Sequence, residues 1–192
     1  SKLVCRSEEI DDCRMTLDTT PPWEDVQTYV GGRWQSPSGD GGEDVIDPAT
    51  GETVSHVSFS SAADVDEAVA AGREAFETWR STPVEERIQP LFELKQLLET
   101  HQEELAEVLV REHGKTFGEA MGELRRGIEN VEVACGVPSM MQAGHVPNAA
   151  PDIDETAVRK PLGVFAAITP LNFPGMIPLA FLPYAVATGN TF

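Results

Sequence analysis

A single side-chain amide, that of Asn172, interrupts the largely apolar stretch "AAITPLNFPGMIP". A side-chain amide carries two N–H donors and no charge, so it can hydrogen-bond a carbonyl oxygen and stabilise the oxyanion that forms when a nucleophile adds to the carbonyl. In loops, however, Asn more often caps a helix or closes an Asx turn. The residue types alone favour the capping role and leave the catalytic role open.

The segments around Asn172 predict a site at the edge of a parallel sheet. "GVFAAI", residues 163–168, is apolar on both alternations, as a strand covered on both faces must be. A proline-containing loop follows, and "IPLAFLPYAVATG" predicts a buried helix that ends near Gly189. With a further strand starting at residues 190–192, this is the beginning of a βαβ unit. Ligands of such sheets bind beyond the carboxyl ends of the strands, where Asn172 lies.

Cysteine and histidine are the other residue types that could supply nucleophilic or metal chemistry. They are Cys5, Cys13, Cys135, His56, His101, His113 and His145. The cysteines lack CxxC spacing and the histidines are scattered, so neither a disulfide framework nor a metal site is predicted. We expect free thiols, with Cys135 a small residue of the core.

Two β-hairpins are predicted before the helices begin. "TYVGGRWQ", residues 28–35, has two glycines between two short strand-like runs. "VIDPATGETVSHVSF" predicts a second strand pair with an Asp-Pro and Gly turn.

Four helices are predicted next, and Thr-x-x-Glu capping boxes mark the start of three of them. The boxes are Thr82 with Glu85, Thr100 with Glu103, and Thr116 with Glu119. Gly114 is expected to end the third helix. The fourth has an apolar stripe made up of Phe117, Met121, Leu124, Ile128, Val131 and Cys135. Beyond about Gly144, proline breaks and a short alternating run predict an exposed arm.

The charge is strongly acidic, with 32 acidic against 14 basic residues and a formal net charge of −18. Such a field repels phosphate backbones, which argues against a nucleic-acid partner. The acidic residues alternate with regular apolar positions along the helices, which predicts a solvated surface rather than disorder. An acidic surface poor in lysine resembles that of halophile-like proteins from a salt-loaded cytoplasm.

No apolar stretch is long enough to span a bilayer, and the N-terminus "SKLVCRSEEIDDC" has acidic residues where a signal peptide needs its apolar core. We therefore expect a cytoplasmic protein without a membrane partner.

Three stretches together resemble the aldehyde dehydrogenase superfamily: "TPLNFPGMIPLAFLPYAVATGNTF", "GKTFGEAMGELRRGIENVEVACG" and "YVGGRW…DPATGE". The resemblance reaches back to about Tyr29. Within the superfamily, "RRGIENVEVACG" followed by "PSMM" is most similar to the methylmalonate-semialdehyde dehydrogenase branch, whose members are CoA-acylating.

The resemblance implies an α/β, aldehyde dehydrogenase-like fold, in which this chain is the N-terminal part of the Rossmann-type NAD-binding domain. Residues 1–28 would be an unmatched N-terminal extension, and residues 29–144 the β-hairpins and helices of the cofactor domain. Residues 145–162 would form an oligomerisation arm, and residues 163–192 the first βα unit of the NAD-binding sheet.

The resemblance also implies roles for individual residues. Asn172 would be the oxyanion donor. The cofactor cleft would be lined, largely by backbone atoms, by Ile168, Thr169, Pro170 and Leu171. Two of these depart from the family pattern, which often has Ala at the position of Thr169 and Phe or Trp at that of Leu171. Leu171 thus removes the ring contacts expected there.

Arg126 matches an arginine that in this branch helps to recognise the acid end of the substrate. A guanidinium fork suits a carboxylate. The alternative is a solvated helix arginine like its neighbour Arg125.

The implied reaction needs a cysteine thiolate to form a thiohemiacetal, hydride transfer to NAD, and release of the thioester to CoA or water. The nucleophile, the glutamate base and the ribose-binding lysine match positions beyond Phe192, and none of the three cysteines matches the nucleophile. We therefore expect an N-terminal fragment that is inactive alone.

The leading hypothesis is a fragment of a homo-oligomeric, NAD-dependent enzyme, dimer or tetramer, that oxidises malonate or methylmalonate semialdehyde with CoA as co-substrate. Two alternatives stay open: a hydrolytic semialdehyde dehydrogenase, and a non-catalytic fragment or assembly partner. The sequence does not distinguish NAD from NADP.

Overall fold

Two short N-terminal strands, β1 (Leu3–Cys5) and β2 (Met15–Leu17), pair in antiparallel orientation. The computed structural model describes the backbones of these strands, residue 23 and residues 25–192. Most of the predicted N-terminal extension, and the thiols of Cys5 and Cys13, lie outside the described residues.

The first predicted hairpin is confirmed. It consists of β3 (Thr28–Val30) and β4 (Arg33–Gln35), which pair in antiparallel register. The turn uses Gly31 and Gly32 at φ +57° and +80°. Only glycine adopts two successive positive φ angles at little cost, which explains the Gly-Gly pair.

The second predicted hairpin is also confirmed, with β5 (Gly42–Ile46) antiparallel to β6 (Thr53–Ser58). The turn is closed by Asp47, whose backbone carbonyl accepts from the Gly51 amide at 2.8 Å and whose carboxylate accepts from the Ala49 amide at 2.8 Å. Asp47 is buried, so the turn is a fixed part of the structure.

Helix α1 (Ala62–Trp79) begins at a capping box that the sequence analysis missed. Ser61 is the N-cap, its hydroxyl accepts from the Asp64 amide at 3.2 Å, and the Asp64 carboxylate accepts from the Ser61 amide at 2.7 Å. Every residue of α1 remains at least partly exposed.

The cap predicted at Thr82 is wrong. Helix α2 (Val84–Arg87) is a single turn with Pro83 as its N-cap and no side-chain cap. The Thr82 hydroxyl instead donates back to the Thr78 carbonyl at the end of α1. A single residue, Ile88, separates α2 from the next helix, α3 (Gln89–Thr100).

The cap predicted at Thr100 is also wrong. Thr100 is the last residue of α3, and its hydroxyl donates to the Gln96 carbonyl at 2.8 Å. Only His101 separates α3 from α4 (Gln102–His113), so the chain hardly leaves the helical conformation and a side-chain cap has no room to form. Gly114 ends α4 in the left-handed region at φ +75°, as predicted.

Helix α5 (Phe117–Cys135) carries the largest part of the core. Its predicted Thr116 and Glu119 capping box is confirmed. One face packs against α3, α4 and the last helix of the chain. The apolar residues buried on that face are Ala120, Leu124, Ile128, Val131 and Ala134. Of the predicted stripe, Phe117 is largely exposed, since it lies at the first helical position. The short helix α6 (Val137–Met140) follows.

The segment predicted to be an exposed arm forms a β-hairpin. Strands β7 (Gly144–Ala150) and β8 (Ile153–Ala157) pair in antiparallel orientation, and every residue of both strands is exposed.

The strand predicted over residues 163–168 is wrong as a regular strand. Only Val164 pairs, in the parallel orientation expected, with Thr191. A parallel strand needs neighbours to take its backbone hydrogen bonds, and residue 191 supplies the one neighbour found among the described residues. Helix α7 (Met176–Ala187) follows the loop and is partly buried against α5. Among the helices described, none is both long and apolar enough to cross a membrane.

Candidate active site

The loop that carries Asn172 is held in place by Glu123, a buried residue of α5. One carboxylate oxygen of Glu123 accepts from the amides of Gly175 at 2.7 Å and Met176 at 3.1 Å. The side chain is only 1% exposed. The first amides of a helix have no partner within the helix, and a negative charge there interacts favourably with the helix dipole. Glu123 therefore fixes the start of α7.

Lys115 connects Glu123 to the loop itself. Its ammonium group donates to the second carboxylate oxygen of Glu123 and to the backbone carbonyl of Asn172, the latter at 3.2 Å. The same group lies 5.2 Å from the centre of the Phe173 ring, within range of a cation–π contact. The sequence analysis missed both Lys115 and Glu123.

The side chain of Asn172 is exposed on this loop. Helix α7 has Gly175 as its N-cap and no side-chain cap, because the Glu123 carboxylate takes the first amides. The capping role that the sequence analysis favoured for an isolated Asn is therefore not the role of Asn172. Asn172 is thus an exposed residue of a loop whose backbone is hydrogen-bonded to Lys115 and Glu123.

A second asparagine, Asn190, fixes the segment before the loop. Its side-chain oxygen accepts from the amides of Leu162 at 2.6 Å and Gly163 at 3.0 Å, and its nitrogen donates to the Thr188 hydroxyl at 2.8 Å. Asn190 is buried, and all of its polar side-chain atoms are used. Its amide side chain directly after Gly189, at the end of an apolar helix, was the available signal in the sequence.

An apolar groove of about 550 Å³ lies between residues 165–168 and α7. Of the four predicted cofactor contacts, Ile168 lines this groove and is fully exposed to it. The other three lie on the loop beyond it, at Thr169, Pro170 and Leu171. The structure thus brings Ile168 to a cleft but leaves the remaining three on the exposed loop.

Arg126 differs from its neighbour in its surroundings. Arg125 forms ion pairs with three glutamates, at 3.3–3.6 Å. Arg126 is exposed, and it forms no ion pair within the part of the chain that the structure describes. The next residue, Gly127, packs so closely on α7 that an added Cβ would lie 2.7 Å from Leu179. Arg126 therefore directly precedes a residue that packs on α7.

Cys135 is a partly buried free thiol at the end of α5. Burial raises the pKa of its thiol above the ordinary value, although Lys95 acts in the opposite direction. At neutral pH the reactive thiolate is therefore scarce, which makes Cys135 a poor nucleophile.

The sequence profile of the aldehyde dehydrogenase family matches residues 34–192. This match covers most of the chain, which therefore belongs to the aldehyde dehydrogenase family.

Within the family, the chain is similar to curated malonate-semialdehyde dehydrogenases. The chain is 46% identical over 174 residues to malonate-semialdehyde dehydrogenase 1 of Geobacillus kaustophilus (strain HTA426), a match that covers 91% of this chain and 36% of that protein. It is 45% identical over 169 residues to malonate-semialdehyde dehydrogenase 2 of Oceanobacillus iheyensis, covering 88% and 35%. The chain thus spans about a third of the length of the curated relatives it matches.

Solved structures of this family superpose closely on the chain. A methylmalonate-semialdehyde dehydrogenase from Oceanimonas doudoroffii superposes with a TM-score of 0.84 at 40% identity, over 88% of this chain and 34% of that one. A protein from Sinorhizobium meliloti 1021, described as a methylmalonate-semialdehyde dehydrogenase and solved with NAD, gives 0.83 at 36% identity over the same shares. The fold is therefore the aldehyde dehydrogenase α/β fold that the sequence predicted.

Proposed function

We propose that this chain forms the N-terminal part of an NAD-dependent enzyme that oxidises malonate or methylmalonate semialdehyde to an acyl-CoA. The observation that carries the proposal is the exposed amide of Asn172 on a loop fixed by Lys115 and Glu123. A donor that is already in place when negative charge develops on oxygen costs no reorganisation at that moment.

In this proposal Asn172 donates an amide N–H to the aldehyde oxygen, and the bond strengthens as that oxygen becomes an oxyanion. The nucleophile and the general base belong to parts of the enzyme that match no residue of this chain, so the chain alone is proposed to be inactive. The surroundings of Cys135 support this, because its raised pKa does not suit a nucleophile.

The groove beside Ile168 fits a nicotinamide cofactor, which supplies a hydride acceptor when bound. Its apolar lining suits a planar ring, and the exposed backbone of residues 166–168 can form hydrogen bonds. We assign the cofactor contacts to Ile168, Thr169, Pro170 and Leu171. The name of the Sinorhizobium structure, which includes NAD, favours this cofactor.

Arg126 is proposed to bind the carboxylate of the semialdehyde. Its exposure, its position directly before Gly127, which packs on α7, and the ion pairs that engage Arg125 elsewhere support this role. Replacing Arg126 with Met should raise KM for malonate semialdehyde while leaving KM for propanal, which has no carboxylate, unchanged.

Assembly is proposed to use the exposed hairpin of β7 and β8 as an arm between subunits of a dimer or tetramer. Every residue of this hairpin is exposed, and two strands alone are marginally stable without further packing. Leu162, five residues after β8, is also 86% exposed. We further propose a cytoplasmic enzyme adapted to salt, given the acidic surface.

The test uses the enzyme at the full length of its relatives. Asn172→Ala should lower kcat and kcat/KM together by roughly 10²–10³, since the lost bond is strongest in the transition state, and NAD affinity should hardly change. Turnover is followed by NADH absorbance with malonate semialdehyde, with and without CoA. Activity that persists at full rate without CoA would identify a hydrolytic enzyme instead.

The matched control is Gln96→Ala. It removes another exposed side-chain amide, from a position in α3 where alanine suits the helix. This variant should keep its kcat. A lower melting temperature with near-normal kcat in Asn172→Ala would show that Asn172 is only structural.

A further inference from the structure

We propose that Lys115 and Glu123 are positioning residues for the oxyanion-binding loop, acting through the backbone of residues 172–176. The inference rests on the proposed role of Asn172. It concerns how the donor is held, not how it reacts.

The two side chains hold different parts of the same segment. The Glu123 carboxylate accepts hydrogen bonds from the amides of Gly175 and Met176 and so fixes where α7 begins. The Lys115 ammonium group donates to the backbone carbonyl of Asn172 itself, at 3.2 Å. Together they fix the segment at both ends, and Asn172 is the residue whose backbone Lys115 contacts directly.

The pair lies at the start and in the first half of α5, the helix that carries the largest part of the core. Lys115 lies directly before the capped first turn of α5, and Glu123 lies two turns further along that helix. Helix α5 packs on α3, α4 and α7. Contacts with the helical core, and not contacts within the loop, therefore determine where the loop lies.

Stability alone does not account for this arrangement. The side chains are 8% and 1% exposed, and burying two charges costs desolvation energy that their attraction seldom exceeds. Apolar residues of similar size would stabilise the core as well, but they could not hydrogen-bond the loop backbone. The geometry points to placement of the loop as the function of the pair.

The test is a double-mutant cycle of Lys115→Met and Asn172→Ala in the enzyme at the full length of its relatives. Lys115→Met should lower kcat by about 10- to 100-fold, because small displacements of a catalytic group are costly, with KM for NAD nearly unchanged. In the Asn172→Ala background the same substitution should cause no further loss, since there is no longer a donor to position. Lys95→Met, which breaks a surface pair with Glu99 at 2.8 Å, should keep its kcat.

A second variant separates placement from folding. Lys115→Met leaves the Glu123 charge buried without its partner, which lowers stability. Lys115→Met combined with Glu123→Gln removes both charges but keeps an acceptor for the two amides. Its melting temperature should return toward that of the parent, while kcat stays low because the bond to the Asn172 carbonyl is still missing.

The outcomes distinguish the two proposals. If Asn172→Ala lowers kcat but the effects of the two substitutions multiply, or Lys115→Met leaves kcat unchanged, the positioning role is overturned and the oxyanion role stands. Recovery of both stability and kcat in the Lys115→Met, Glu123→Gln variant would likewise overturn the positioning role. If Asn172→Ala leaves kcat unchanged, both proposals fail.

Discussion

The folded structure stabilises the charged form of the Asp64 side chain. Its carboxylate accepts from the hydroxyl and amide of Ser38, at 2.7 and 2.8 Å, and from the amide of Ser61. These bonds, first those from Ser38 and then that from Ser61, lower the pKa of Asp64 from 3.8 to about 2. The carboxylate thereby joins the loop before β5 to the start of α1.

We expect Asp64→Ala to lower the melting temperature at pH 7. Because the folded-state pKa is below the unfolded one, the stabilisation is fully present above pH 3.8 and is lost as the pH falls toward 2. The difference in melting temperature between the parent and the variant should therefore shrink over that range. Asp66→Ala, which removes an equal charge from the same helix, is the control and should change the melting temperature much less at pH 7.

At this scale the sequence revealed Asn172 but not the residues that hold it. Asn172 was visible because an amide is unusual between apolar residues and prolines. Glu123 and Lys115 looked like ordinary charged residues of a helical segment. One signal was present: Glu123 directly precedes Leu124 on the buried face of α5, and an acid there needs partners. The two amide partners of Glu123, at Gly175 and Met176, lie 52 and 53 residues away and follow only from the packing of α7 on α5.

Among the elements, the junction of α4 and α5 offers a direct test of backbone geometry. Gly114 has φ +75°, and an added Cβ would lie 2.5 Å from the Pro48 ring. Gly114→Ala should lower the free energy of unfolding by about 1–2 kcal/mol from the left-handed conformation alone, with the clash adding to it. The measurement is urea unfolding followed by circular dichroism.

The matched control is Gly118→Ala in the first turns of α5, where an added Cβ meets nothing within 4 Å. Alanine should raise the free energy of unfolding there by about 0.5–1 kcal/mol, because it has the higher helix propensity. Equal destabilisation by both substitutions would contradict the assignment of Gly114 as a conformational requirement.

Helix starts show why spacing alone was insufficient. The same Thr-x-x-Glu pattern occurs at Thr82, Thr100 and Thr116, yet only Thr116 caps a helix. Thr116 follows Gly114, which turns the chain out of α4 and leaves free amides to cap. At Thr100 the preceding helix continues almost to the next one, and at Thr82 the following residue, Pro83, occupies the N-cap position. Both hydroxyls donate backward to carbonyls of the preceding helix.

For the whole molecule, net charge is the property that the sequence predicts most directly. With a charge of −18, self-repulsion opposes compact structure. We expect the melting temperature to rise from dilute buffer to molar KCl, as the screening length falls from about 10 Å at 0.1 M to about 3 Å at 1 M. The control is the same titration near pH 4.4, where the net charge is close to zero and salt should have little effect.

The packing of α7 on α5 has a consequence for how the chain folds during synthesis. Helices α4 and α5 are separated by three residues, whereas α5 and α7 are separated by forty. Closing the longer loop costs more entropy, and α7 leaves the ribosome after α5. The α3 to α5 bundle should therefore form first, with Lys115 and Glu123 already in place, and the Asn172 loop should acquire its shape when the start of α7 docks on them.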